Sequence, residues 1–463
     1  MTTLLYTTCL GLFCMLAEVL NLRKLLIPIV VLGLATIFAT NLQLWNIQAP
    51  LTLGPVSIDH MMRMDNFAIA FSGLAIFISL LIFILSANYY QNEQQHLSDY
   101  LSILVFVLCG ALVMFSFANM AMLFLGIEIL SISLYIMAGS RRFDTRSNEA
   151  GFKYFLMGSF ASGILLFGIA LIYGASGSFE LAKIAEYAGS GNVSPMFYTG
   201  MTLMVFAMLF KVSAVPFHFW SPDVYEGSPA LITTLMSTLV KVAAFAALYR
   251  LFSTCFLGSI DAVKPILIIV TAATIIVGNI IALSQQNVKR ILAYSGIAHA
   301  GYMLMGIISI QTKTDSAVFF YATAYSLATI GFFSLGIMVF KSAFTENVEA
   351  FNGLGKKNPL AAACISICLL SLAGIPPFAG FLGKYYIFSE TVKNGYITIT
   401  LIAVINSIIA VYYYFKVIIA MYAQPANEKP LVIHPTYWLV AIVCVLLTIG
   451  IGLMPDYLMQ LLK

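Results

Sequence analysis

"LFKVSAVPFHFWSPDVYEGSP", residues 209–229, sets Lys211 inside an apolar run five residues before Pro216, with His218 just past the proline. Proline gives no N–H and its ring clashes with the preceding turn, so a helix running through this stretch must kink or break. Non-helical backbone at bilayer depth is tolerated only where it is buried in protein or lines a wet cavity. If the run lies in a membrane, its lysine and histidine sit in a polar interior.

The rest of the chain puts it there. Of 463 residues, 61% are hydrophobic and 9% charged, against roughly 25% charged in soluble domains, and the mean hydropathy is +0.96. A membrane-crossing helix needs about 20 mostly apolar residues. Such stretches fall at 3–21, 25–45, 66–88, 97–117, 119–139, 151–174, 196–219, 230–252, 263–284, 290–310, 315–341, 359–394, 396–423 and 432–458. The expectation is an all-α polytopic membrane protein of about 14 transmembrane helices. Continuous apolar runs of this length exclude a β-barrel, whose strands are short and alternating. The twelfth stretch is too long for one straight helix and carries Pro376 and Pro377, so it too is expected to be broken.

Charge at the ends of the stretches sets the orientation. Arg23 and Lys24 follow the first span and no basic residue precedes it, the reverse of a cleavable signal peptide. Odd-numbered connections hold Arg23, Lys24, Arg141, Arg142, Arg146, Lys289, Arg290, Lys341, Lys356, Lys357 and Lys429. Even-numbered ones hold fewer: Arg63, Lys183, Arg250, Lys264, Lys313 and Lys393. By the positive-inside rule the odd connections face the cytoplasm and both termini face outward. A net charge of +4 without a dense basic patch gives no reason to expect nucleic acid as a partner.

Five lysines remain inside spans: Lys153, Lys211, Lys241, Lys384 and Lys416. Glu128 sits mid-span and Glu18 near a span end. Each such charge costs about 2.5–3.5 kcal/mol at a helix centre on the insertion scale, which argues for function where no water is in reach. Lys416 is close enough to Gln424 to snorkel to the interface, and Glu18 near Asn21 reads as structural. Lys153 is ambiguous between snorkelling and a buried pair. Lys211 and Lys241 lie deep in their spans. All these bases are lysine, which can lose its proton when desolvated, and none is arginine, which cannot. That favours proton transfer, with Glu128 as acidic partner and His218 and His299 as possible relays.

Other chemistries find little support. The cysteines (Cys9, Cys14, Cys109, Cys255, Cys364, Cys368, Cys444) form no CxxC pair and read as small buried hydrophobes, with no metal site expected. "GSFASG" (158–163) lacks the lysine of a phosphate loop. Gly158, Gly163, Gly168 and Gly174 are expected to let helices approach closely.

"SAVPFHFW" (213–220) is echoed by "AGIPPFAGF" (373–381), five spans later, each break having a lysine nearby. An odd offset makes the two five-helix units inverted relative to each other, a plan that places transport sites at broken helices.

"GIEILSISLYIMAG" (126–139), "EAGFKYFLMGSFASGILLFG" (149–168), "FKVSAVPFHFWSPDVYEGSP" (210–229), "NVKRILAYSGIAHAGYMLMG" (287–306) and "AGIPPFAGFLGKYYIF" (373–388) resemble, in order, the antiporter-like proton-pumping membrane subunits of respiratory complex I (NADH-quinone oxidoreductase), in the subunit N branch. The resemblance covers nearly the whole chain. It implies N-terminal helices over 1–95, inverted repeats over 96–254 (spans 4–8) and 255–424 (spans 9–13), and a last helix over 425–463. It implies proton transfer through Glu128, Lys153, Lys211, Lys241 and Lys384, with Glu128 paired to Lys153, Lys211 central to the first half-channel, Lys241 linking, Lys384 near the outer exit, and His218 and His299 as further relays. Pumping would begin when redox chemistry elsewhere in the complex disturbs the Glu128–Lys153 pair. This subunit would bind no cofactor. NADH, FMN, iron–sulfur clusters and quinone would belong to the complex, with antiporter-like siblings, small membrane subunits and lipid as partners in the cell inner membrane. The alternative is a subunit of a multi-subunit cation/proton antiporter, against which "SPDVYEGSP" (221–229) speaks. A purely structural scaffold leaves the lysines unexplained.

Overall fold

A computed structural model describes residues 2–20, 22–46, 52–53, 56–91, 96–312, 314–425 and 431–462. Asn21, Lys313, Lys429, Lys463 and the side chain of Lys24 lie outside the described residues. The elements run α1 (Thr2–Leu16), α2 (Arg23–Gln43), a minimal hairpin of Thr52–Leu53 with Val56–Ser57, α3 (Asn66–Tyr89), α4 (Leu97–Ser116), α5 (Met120–Ala138), α6 (Thr145–Ser176), α7 (Leu181–Gly189) and α8 (Pro195–Lys211). There follow α9 (Trp220–Gly227), α10 (Ala230–Leu235), a π-helical turn (Met236–Val240), α11 (Lys241–Ser253), α12 (Ile260–Ser284), α13 (Val288–Ile308) and α14 (Asp315–Ala343). The chain closes with α15 (Leu354–Lys357), α16 (Pro359–Ala373), α17 (Ala379–Lys393), α18 (Ile397–Ala423), α19 (Pro435–Leu453) and α20 (Asp456–Met459).

Among the described residues eleven helices are long and apolar enough to cross a membrane, and three shorter apolar ones, α1, α8 and α16, occupy the remaining expected stretches. Their starts are written in the sequence. Asp65, Asn119, Asp144, Asn287 and Asn358 each accept a hydrogen bond from a first-turn N–H of α3, α5, α6, α13 and α16. Gly177 and Gly374, at φ 70° and 84°, close α6 and α16 in the left-handed region. The short α7, which buries Leu181, Ile184 and Ala188, was not among the expected elements.

The joined α10–α11, α13 and α14 are enclosed by protein, whereas α2, α18 and α19 turn much of their surface outward. Leu32, Ile408 and Leu446 are exposed there, as lipid-facing side chains are. Connections cluster by parity. Arg63 N bonds Ser116 O, Ala118 N bonds Met61 O, and Leu181 N bonds Ala118 O, gathering even connections on one face. Val288 N bonds Glu346 O and Gly353 N bonds Ala420 O, gathering odd ones together.

Helix contacts follow the glycines only in part. A Cβ on Gly168 would stand 2.8 Å from Gly200 O, so α6 and α8 meet backbone to backbone, and Gly158 makes room for Tyr135. Gly163 faces open space, contrary to expectation, because it lies on the outward face of α6. Cys9 likewise is exposed on α1, while the other six cysteines are buried.

Candidate functional site

The first break opens before its proline. Ala214 N reaches back to Leu209 O and Ser213 takes a φ of 61°, so α8 unwinds at Lys211 and resumes as α9 at Trp220. Lys211 becomes the last helical residue. The Trp220 indole, stacked on Tyr154 at 4.7 Å, donates to the freed Phe210 carbonyl at 3.2 Å, and Val215 N finds Thr274 Oγ1 at 3.0 Å. These bonds satisfy backbone groups that hydrocarbon could not. Lys211 is 8% exposed; its Nζ donates to Ser131 Oγ at 2.9 Å and stands 6.0 Å over the Tyr135 ring.

Glu128 lies one turn before Ser131 on α5 and accepts from Ser162 Oγ of α6 at 2.5 Å. It lies on the same helix as the serine that bonds Lys211. The expected Glu128–Lys153 pair does not form. Lys153, near the start of α6, bonds Glu149 at 2.7 Å and Asp223 of α9 at 2.9 Å, and its side chain is 39% exposed. It is held by carboxylates at the helix ends, while Glu128 is deeper, on the level of Lys211.

The second break repeats the first in outline. Gly374 ends α16, Pro376 and Pro377 follow, and Gly380 N bonds Ser371 Oγ at 3.1 Å as α17 begins. Both breaks carry a cis X–Pro bond, Val215–Pro216 and Pro376–Pro377. Lys384 reaches back across the gap to the Ala373 carbonyl at 2.8 Å, and to Ser407 Oγ of α18 at 3.0 Å. An ammonium thus occupies the negative end of a terminated helix, where a cation is favoured.

Between the breaks lies a tyrosine-lined cluster. The π-helical turn widens the backbone just ahead of Lys241, a distortion often found at functional positions. Lys241 donates to the Gly296 carbonyl and stands 5.5 Å over Tyr325. One turn along α13, His299 meets the Tyr321 hydroxyl through Nδ1 at 2.6 Å and the Tyr414 hydroxyl through Nε2 at 3.0 Å. Tyr414 also bonds Ser295. Tyr413 donates to Asn279 Oδ1 at 3.0 Å, and Asn279 Nδ2 donates to Tyr302 at 3.2 Å. The Tyr302 ring lies 5.3 Å from Lys384 Nζ. Tyr321 also packs against Gly383, the neighbour of Lys384. Lys241, His299 and Lys384 are therefore joined by hydroxyl-bearing rings.

His218 is buried beside Phe219, with ring centroids 4.3 Å apart, and its Nδ1 has no hydrogen-bond partner. Among the described residues no hydrogen bond joins it to Lys211. Lys416 reaches the Gln285 carbonyl at 2.8 Å, at the α12–α13 connection, and Glu18 pairs with Arg23 and accepts from Ser98.

Two ion networks escaped sequence reasoning. On the odd-connection face, Arg290 bonds Asp223 at 2.9 Å and Glu226 at 2.8 Å, and Lys289 bonds Glu346 at 2.5 Å. "SPDVYEGSP" is the hub, tying α6 to α13. Burial would raise the Asp223 carboxyl, but Lys153 and Arg290 outweigh it and hold Asp223 below the ordinary carboxylate range. On the other face Arg250 binds Asp65 through both terminal nitrogens at 3.0 and 2.6 Å. Asp65 too is held low: burial pushes it up, and the Arg250 charge and hydrogen bonds overcome that. No group of three or more His, Cys, Asp or Glu side chains among the described residues is placed to hold a metal ion.

Residues 116–410 match the family model described as NADH:quinone oxidoreductase/Mrp antiporter, transmembrane. The NADH-quinone oxidoreductase subunit N of Flavobacterium psychrophilum is 45% identical to this chain over 100% of each. A chain of the respiratory complex I from Thermus thermophilus with bound aureothin is 30% identical, with a TM-score of 0.82 over 99% of this chain and 98% of that one. A chain of the Mrp complex from Dietzia sp. superposes with a TM-score of 0.88, over 99% and 95% of the two chains, at 21% identity, a likeness of fold.

Proposed function

Because this chain belongs to the NADH:quinone oxidoreductase/Mrp antiporter transmembrane family, we propose that it is a proton-translocating membrane-arm subunit of an NADH:quinone oxidoreductase. The observation that carries the reading is the Lys241–His299–Lys384 cluster. Two lysines and an imidazole lie in the protein interior, where tyrosine hydroxyls, which can both give and take a hydrogen bond, meet both nitrogens of His299 and the rings of Tyr325 and Tyr302 lie against Lys241 and Lys384. Desolvation makes the neutral form of a buried lysine accessible, so each can take up and release a proton.

In this reading Glu128 acts on Lys211 directly, not through Lys153. A change in charge or position at Glu128, driven by redox chemistry in other subunits, alters the proton affinity of Lys211. The proton passes to Lys241, crosses the His299 ring between Tyr414 and Tyr321, and reaches Lys384. The charge bias of the connections supports both termini outside, and the resemblance to complex I membrane subunits implies movement from cytoplasm to periplasm. Lys153 holds the α6–α9 corner through Asp223. The paired breaks, each with a lysine and a proline, support two inverted repeats over 96–254 and 255–424, with helices over 1–95 and 425–463 flanking them. The electron carriers implied for the complex, NADH, FMN, iron–sulfur clusters and quinone, are assigned to other subunits; the step derived for this chain is proton movement alone.

A cation/proton antiporter subunit remains the second reading, supported by the shared fold. Full-length identity of 45% to a subunit N favours the first. The test is co-purification of the tagged chain from its native membrane. NADH-oxidising peripheral subunits are the expected companions; sodium-dependent transport without them would favour the antiporter.

A further inference from the structure

Asn279 interrupts the apolar run "IIVGNIIALS" (275–284) of α12 and is fully buried. A polar side chain in that setting is costly unless every group on it is bonded. Asn279 Nδ2 donates to the Ile275 carbonyl at 2.8 Å and meets the Tyr302 hydroxyl at 3.2 Å, and Oδ1 meets the Tyr413 hydroxyl at 3.0 Å. A backbone carbonyl can only accept, so the Ile275 bond fixes which end of the amide is nitrogen. Tyr413 must then donate to Oδ1, and Tyr302 must accept from Nδ2. The hydroxyl hydrogen of Tyr302 is left for a partner other than Asn279.

Tyr302 stands between two proton carriers. Its ring centroid is 5.8 Å from that of His299 and 5.3 Å from Lys384 Nζ. The two kinds of tyrosine site differ. An imidazole can exchange tautomers, so Tyr321 and Tyr414 can trade roles around His299. The Asn279 amide, with two donors on one end and acceptors only on the other, holds Tyr302 and Tyr413 in fixed roles.

We infer that Asn279 is a positioning residue for proton transfer between His299 and Lys384, and that it acts by holding Tyr302 with its hydrogen free for the gap between them. The inference rests on the proton-pumping reading above. An ammonium has no lone pair to offer, so the free Tyr302 hydrogen serves Lys384 in its amine form. In the step the amine takes that hydrogen while the Tyr302 oxygen receives another from its His299 side on its remaining lone pair. Tyr302 ends unchanged, and Lys384 ends as the ammonium.

The test uses the whole complex in sealed vesicles, with proton translocation measured for Asn279→Leu, Tyr302→Phe, the double variant and Lys384→Ala. Leucine is close to asparagine in size and removes both tyrosine bonds. Each of the first two variants is expected to slow translocation about tenfold in an assembled complex. The double variant should fall little further, because Asn279 acts through Tyr302. In infrared spectra of complex carrying ring-labelled tyrosine, the C–O band that Tyr302→Phe removes should move in Asn279→Leu, since its hydroxyl loses a donated bond; a packing role alone would leave it in place. If Asn279→Leu does not assemble, Asn279→Ala, which only removes atoms, replaces it. An unmoved band overturns the positioning role, as do losses that multiply to about a hundredfold in the double variant. Full pumping by Asn279→Leu, while Lys384→Ala abolishes pumping, also overturns it and leaves the pumping reading intact. Full pumping by Lys384→Ala removes the reading and the inference together.

Discussion

The Tyr321 hydroxyl stands 2.6 Å from His299 Nδ1, while the other ring nitrogen meets Tyr414. A neutral imidazole donates through one nitrogen and accepts through the other, so the two tyrosines play opposite roles at any instant. Exchange of the tautomer reverses both. Replacing Tyr321 by Phe keeps the packing against Gly383 and deletes one arm of the relay. The expected result is a folded complex whose proton-translocation rate drops about tenfold or more, measured by dye response in proteoliposomes. His299→Gln should drop it similarly, and the double variant little further, because the two act in one path.

Lys153 and Lys211 should separate cleanly. Lys153 is partly exposed and bonded to Glu149 and Asp223, so Lys153→Ala is expected to loosen the α6–α9 corner, lowering assembly or thermal stability, while the protons moved per electron stay near normal. If Lys153→Ala instead abolished pumping in a fully assembled complex, the reassignment of Glu128 to Lys211 would be wrong.

Lys416 anchors to the Gln285 carbonyl at a helix connection. Lys416→Met retains the stem that packs along α18 and loses one charged hydrogen bond. Pumping should be unchanged, as judged by the same vesicle assay.

The Asp65–Arg250 pair predicts an acid limb. Asp65 is held below its ordinary value in the fold, so its stabilising contribution is complete above the unfolded value, near 4, and is lost as pH falls through the lower folded value. Thermal unfolding of the purified complex should therefore show a component that weakens only below about pH 4. Asp65→Asn should remove that component and cost on the order of 3 kcal/mol at neutral pH by leaving Arg250 buried and unpaired. An unchanged acid limb in Asp65→Asn would assign it to other carboxylates.

The spans and the two breaks were legible because apolar length and proline act locally: each helix must satisfy its own backbone wherever it ends up packing. The deep lysines were legible for a related reason, since Lys211, Lys241 and Lys384 interrupt apolar runs that tolerate almost nothing charged. The tyrosines were not. Tyr302, Tyr321, Tyr325, Tyr413 and Tyr414 lie in runs where an aromatic ring reads as ordinary core, and only helix packing brings the Tyr321 and Tyr414 hydroxyls to His299 and those of Tyr302 and Tyr413 to Asn279. The partner of Lys153 was not legible because Asp223 is seventy residues away. Arg250 fell at a span edge, where a basic residue normally faces water, yet the last turn of α11 buries it against Asp65. Separations of that kind are set by how helices pack, and a single sequence carries no local mark of them.

The central claim is that protons cross this chain through its buried lysines, and Lys211→Ala tests it most directly. The measurement is protons translocated per electron by the assembled variant complex in sealed vesicles. A clear fall in that ratio, with NADH oxidation by the peripheral subunits retained, is the predicted result; an unchanged ratio would contradict the account.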